Sequence, residues 1–173
     1  GAIMIANDST LTIEPGVSVI FQGGYKFLVL GRLLAVGNVT DSITLTAADT
    51  ATGWRGIRFD STLATNDTSK LFYCKLTYGK ASGSGGDTIG GAIYFSNFSK
   101  AIISNSRVFN NSAKSYGGGI AFSGSSPIIS NNIVSNNSAR HGGGIFCNKF
   151  SNPTISNNTI SNNSVLSLGG GIW

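Results

Sequence analysis

Charge is scarce in this sequence: Asp, Glu, Lys and Arg together make up 11% of its 173 residues, beside 3 prolines, 2 cysteines and a single histidine. Hydrophobic residues nevertheless reach 40%, so the composition is not that of a disordered chain and supplies enough apolar surface for one core. No run of about 18 apolar residues occurs, which excludes a transmembrane helix and direct membrane insertion by one. The chain does not open on the basic start, apolar stretch and cleavage site of a secretory signal. Cys74 and Cys147 form neither a CxxC pair nor a metal-ligand spacing, and two cysteines make no disulfide framework. The 24 glycines lack the three-residue period of collagen. Gly83-Ser84-Gly85-Gly86 is no phosphate loop, because no Gly-Lys-Ser/Thr follows and no helix opens there.

The charges present are unevenly placed. Residues 1–87 hold all seven acids (Asp8, Glu14, Asp41, Asp49, Asp60, Asp67 and Asp87) against seven bases. Residues 88–173 hold Lys100, Arg107, Lys114, Arg140 and Lys149 with no acid, which accounts for the whole net charge of +5. Five scattered bases without interleaved aromatics fall short of a phosphate-tracking groove, so nucleic acid is not an expected partner.

What the chain has in abundance is repetition. Ser104-Asn105-Ser106 returns as Ser130-Asn131-Asn132 and Ser156-Asn157-Asn158, 26 residues apart each time. Asn110-Asn111-Ser112, Asn136-Asn137-Ser138 and Asn162-Asn163-Ser164 keep the same step. A glycine block ending in isoleucine occurs at residues 90–93, 117–120, 142–145 and 169–172. Between these punctuations the apolar residues alternate with the strand period of two. Asn, Ser and Gly follow each stretch and turn the chain. Three short strands and three turns per repeat predict an all-β solenoid of about six coils, each strand pairing with its copies in the coils above and below.

The stacking predicts columns. Ile57, Ile93, Ile120, Ile145 and Ile172 should form one inward ladder, with Phe59, Phe95, Phe122 and Cys147 two residues along. Ile103, Ile129 and Ile155 make a third, and Val108, Val134 and Ile160 a fourth. Asn105, Asn131 and Asn157 are expected to bond amide to amide at a bend. The first half follows the plan less regularly: 11–13, 17–21 and 27–30 read as one coil, 33–36, 43–47 and 56–59 as a second, and 71–74, 76–78 and 93–95 as a third. Two insertions, 60–70 and 79–89, should project as loops. The whole chain reads as one domain, with irregular coils over 1–87 and regular repeats over 88–173.

The stretch Ile155-Ser156-Asn157-Asn158-Thr159-Ile160-Ser161-Asn162-Asn163-Ser164, followed by its glycine block, resembles the right-handed parallel β-helix repeats of secreted bacterial surface proteins. The block Gly90-Gly91-Ala92-Ile93 resembles the repeat of polymorphic outer-membrane proteins, although Val108 to Asn111 and Ile133 to Asn136 replace that family's Phe-x-x-Asn with aliphatics. Residues 11–17 and Trp54-Arg55-Gly56-Ile57-Arg58-Phe59 are similar to pectate-lyase-like modules. This resemblance implies a right-handed, single-stranded parallel β-helix from a secreted or bacterial cell-surface protein. It also brings polysaccharide lyases and glycoside hydrolases of the pectate-lyase type into consideration.

A hydrolase of the usual kind needs two carboxyls about 5–9.5 Å apart, and residues 88–173 contain none. A lyase needs a basic residue and usually a carboxylate-rich calcium site, for which Arg55 or Arg58 near Asp60 is a faint counterpart. His141 has no Ser or Cys partner in register. No catalytic residue, metal site or cofactor is therefore expected. Binding fits the pattern better. If the isoleucine ladder points inward, the neighbouring column Arg58, Tyr94, Ala121, Phe146 and Trp173 points out. There its rings can stack on sugars and its Arg can pair with an acidic group. A second strip runs through Lys114 and Arg140, with Tyr116 and His141 beside their glycine blocks. The expected function is a non-enzymatic structural or adhesion module whose partner is a polysaccharide or a host or cell-surface glycan. Eight Asn-x-Ser/Thr sequons read as by-products of the repeat. The chain ends at Trp173 just inside a glycine-block strand, so continuation beyond it, as a fragment of a longer protein, or end-to-end stacking is expected.

Overall fold

The computed structural model describes residues 1–98, 100–148 and 150–173; Ser99 of the Asn97 sequon and Lys149, counted above among the bases, lie outside them. Among the described residues three parallel sheets of six strands run the length of the chain. Sheet 1 is built from Ile3–Ile5, Phe27–Val29, Ile57–Asp60, Ile93–Ser96, Ile120–Ser123 and Ile145–Cys147. Sheet 2 contains Thr10–Ile13, Arg32–Val36, Ser69–Phe72, Ala101–Ser104, Ile128–Ser130 and Thr154–Ser156. Sheet 3 contains Ser18–Phe21, Ile43–Ala47, Cys74–Thr77, Arg107–Phe109, Ile133–Ser135 and Thr159–Ser161. The chain therefore winds through six coils, and consecutive copies of each strand lie side by side.

Two features go beyond the three strands read per coil. A fourth sheet joins the later coils through Lys80–Ala81, Ser112–Ala113, Ser138–His141 and Ser164–Leu168. Its first two members are two residues long, too short for alternation to reveal. The strand Ile3–Ile5 also precedes the first coil read from sequence and pairs with Phe27–Val29. At the C-terminus Ile172 bridges Ile145 as an isolated pair.

The predicted columns hold in register and lie buried except at the last coil, where Ile172, expected to point inward, is 46% exposed, and Cys147, Ile155 and Ile160 are only partly buried. Ile57, Ile93, Ile120 and Ile145 neighbour one another in sheet 1 and are fully buried. Phe59, Phe95 and Phe122 follow, with ring centroids 4.7 and 5.8 Å apart. Leu71, Ile103 and Ile129 fill sheet 2's inner face, and Leu76, Val108 and Val134 that of sheet 3. Burial of each such side chain contributes roughly 1.5–3 kcal/mol, which makes these columns the main cohesive term.

The amide ladder lies one residue beyond the expected position. Asn105, Asn131 and Asn157 occupy the left-handed backbone region, at φ 51°, 58° and 54°, and are exposed. Asn accepts that conformation more readily than most residues. With the corner made there, the following side chain enters the interior. Asn132 Oδ1 accepts the Ser106 N–H at 2.9 Å, and Asn158 Oδ1 accepts the Asn132 N–H at 2.8 Å. A second ladder, unforeseen from sequence, follows the next corner: Asn111, Asn137 and Asn163 behind Asn110, Asn136 and Asn162. The glycine blocks serve close approach. A Cβ at Gly118 would collide with the carbonyl oxygens of Gly143 and Ser138.

Candidate binding face

Both insertions adjoin sheet 1. Residues 61–68 lie between Ile57–Asp60 and Ser69–Phe72, and residues 82–92 lie between Lys80–Ala81 and Ile93–Ser96. The second is tied down at Gly85–Thr88, a single 3-10 turn in which the Asp87 N–H reaches Ser84 O at 3.1 Å and the Ile89 N–H reaches Gly86 O at 3.2 Å. This loop changes the fate of the column expected to be open. Arg58, Tyr94 and Phe146 lie on the outer face of sheet 1, as their alternation with the isoleucines requires, but they are only 2%, 8% and 7% exposed. Tyr94, Ala121 and Phe146 form a small outer core with Ile89 and Tyr116 packed over it. Trp173 is the member of the column that stays open, at 44% exposed.

Arg58 is the most constrained of these groups. Its Nη1 donates to the carbonyl oxygens of Ile89 and, at 2.8 Å, Gly90. Its guanidinium carbon stands 6.0 Å from the Tyr94 ring centroid. Nε and Nη2 are buried without a hydrogen-bond partner. Burial pulls the guanidinium well below its ordinary value, to about 10, partly offset by the field of Asp87, so it keeps its charge at neutral pH. Asp87 itself pairs with Lys26 at 2.6 Å.

Toward the C-terminal coils the rings gather. Tyr116 and His141 bridge one another in adjacent coils, bringing their rings to 5.4 Å. Tyr116 stacks on Phe146 at 4.6 Å, and His141 on Trp173 at 4.7 Å. Ile89, Tyr116, Phe146, Cys147, Asn148 and Trp173 line a groove of about 410 Å³. Tyr116, named in sequence only as a neighbour of the second strip, is central to this face. Its position before a glycine block, one residue short of a coil's length from His141, was the available signal.

Lys114 and Arg140 do not join that face. Arg140 lies in sheet 4 and Lys114 directly after its strand Ser112–Ala113, both exposed beside a separate groove of about 480 Å³ that also takes in Val165 and Leu166. His141, expected with them, belongs to the ring cluster instead; the register of its strand shifts between Ala139 and His141, where the chain turns toward the glycine block.

Two further carboxylates are engaged locally. Asp67 approaches Arg32 at 3.7 Å, and Asp49 is held below its ordinary value by the Thr52 hydroxyl and the Ala51 N–H of its own turn. Among the described residues no three of His, Cys, Asp and Glu gather as a metal site. Both cysteines are free thiols. Burial pushes Cys74 up to about 12 and raises Cys147 as well, which suits packing groups rather than nucleophiles.

Parallel strands stacked in register, coil over coil, around a continuous apolar interior define a parallel β-helix. The chain belongs to the family described as right handed beta helix region, whose model matches residues 1–173. No curated protein and no solved structure gives a match.

Proposed function

We propose that this β-helix is a non-catalytic surface module, secreted or held at a bacterial cell surface, that binds carbohydrate on the outer face of its C-terminal coils. The observation that carries the reading is the ring cluster of Tyr116, His141, Phe146 and Trp173, with neighbouring centroids 4.6–6.1 Å apart, of which Tyr116, Phe146 and Trp173 line an open groove. Sugar rings present apolar C–H faces that pack against such rings, while their hydroxyls need polar neighbours such as Asn148 on the groove wall. A stacked β-sheet holds the rings at fixed spacing, so little ordering entropy opposes binding.

A glycan array probed with the wild-type chain tests this. Tyr116→Ala and Trp173→Ala should each weaken binding to the selected glycan about tenfold. Unchanged binding in both variants would remove this face as the site. Turnover of acidic polysaccharide to unsaturated products, with or without calcium, would support a lyase instead.

A further inference from the structure

We infer that the outer face of sheet 1 holds a second, latched site for a carboxylate-bearing sugar, centred on Arg58 and closed by residues 82–89. The inference rests on the carbohydrate reading for its ligand class but on different residues for its chemistry. An arginine presents Nε and Nη2 along one edge, and that edge forks onto the two oxygens of a carboxylate. In Arg58 the other nitrogen, Nη1, is consumed by the carbonyls of Ile89 and Gly90, while Nε and Nη2 are the donors left without a partner. Unpaired donors on a side chain 2% exposed are costly, and folded chains seldom retain them without a use. The Tyr94 ring lies against the guanidinium, 6.0 Å from its central carbon, and holds its plane in place.

The covering loop has the properties of a latch. Its one acid, Asp87, contacts Lys26 at 2.6 Å and acts electrostatically on Arg58 without bonding it. A Cβ added at Gly83 would crowd both the Arg55 guanidinium and Asp87, at 2.6 and 2.7 Å, so a third cation packs against the same turn. Three bases thus surround a single loop carboxylate. A ligand carboxylate placed on the Arg58 fork meets the same cations and competes with Asp87 for their field. The tip of the loop, residues 82–87, is the lightly fastened part: its Lys26–Asp87 pair is 43% and 29% exposed, and such pairs contribute about 1 kcal/mol or less, whereas residues 88–90 are anchored by the Ser115 N–H on the Thr88 carbonyl, the Ile89–Tyr116 bridge and the Arg58 bonds. Glycines at 83, 85, 86 and 90 give the segment freedom to swing.

Calorimetry with a hyaluronan hexasaccharide and its carboxyl-reduced counterpart tests the site. Asp87→Asn should bind the acidic form about tenfold more tightly than wild type, and neither protein should bind the reduced form at this site. Arg58→Lys, which keeps the charge and loses the fork, should abolish the gain when combined with Asp87→Asn. Should that variant unfold, the Arg58 Nε–H resonance of the Asp87→Asn protein supplies the readout, shifting on addition of the acidic hexasaccharide. Hydrogen exchange of residues 82–89 should accelerate on binding. Trp173→Ala, which removes a ring of the first face that makes no contact with Arg58 or Tyr94, should leave the Asp87→Asn gain intact, which separates this site from the ring cluster. Equal affinity for the two hexasaccharides, an unaffected Arg58→Lys, or a gain seen equally with a poly-glutamate peptide would overturn the inference.

Discussion

The side-chain oxygen of Asn158 accepts two hydrogen bonds from Asn132, one from its backbone N–H at 2.8 Å and one from its amide at 3.0 Å. Asn132 repeats the arrangement upward, receiving the Ser106 N–H and giving its amide to the Ile103 carbonyl at 2.9 Å. Each ladder Asn therefore satisfies backbone groups that the corner withdraws from the sheets.

Removing one such side chain should cost more than removing its neighbour. Asn132→Ala leaves the Ser106 N–H and the Ile103 carbonyl without these bonds in a site where Asn132 itself is 1% exposed. We expect a loss of about 3 kcal/mol in urea unfolding. Asn131→Gly, at an exposed corner that glycine adopts freely, should stay within about 0.5 kcal/mol. Equal losses would show that the amide bonds contribute nothing beyond the turn.

Tyr73 occupies the same corner column as Asn105, Asn131 and Asn157, at φ 51°. A residue other than Gly, Asn or Asp is strained there by roughly 1–2 kcal/mol. Tyr73→Asn should raise stability by about 0.5–1 kcal/mol, part of the relief being offset by lost contacts of the half-buried ring. A lowered urea midpoint would mean that the ring's packing outweighs the strain.

The buried thiol of Cys74 sets a pH dependence. Folded, it holds its proton to about 12, whereas the unfolded chain releases it near the ordinary 9.0. Between those values the unfolded state binds fewer protons, so this group's contribution is complete below pH 9.0 and falls as pH rises toward about 12. Cys74→Ala should show a shallower alkaline loss than wild type across that window, measured by urea midpoints. Parallel slopes would assign the loss to other groups.

The columns were legible because their information is local and repeated: Ile93, Ile120 and Ile145 recur in phase with the glycine blocks, and a period of two assigns their face. The expected Asn ladder lay one residue off because alternation fails at a corner, and the second went unseen for the same reason. Which of Asn131 and Asn132 enters the interior depends on which one takes the left-handed backbone, and both are chemically fit to do so. Arg58 was assigned to the correct face and to the wrong environment. Its burial comes from a loop some thirty residues later in the chain, and nothing in the strand around it encodes that contact.

In the C-terminal coils the passages from sheet 2 to sheet 3 and from sheet 3 to sheet 4 are corners of two residues, closed by paired amides. Both long insertions instead leave the coil on either flank of sheet 1. Extra chain can therefore be grafted at those two exits without disturbing the cohesion of the rod. Whatever such additions contribute is displayed over one side of the molecule, while the scaffold beneath it stays constant.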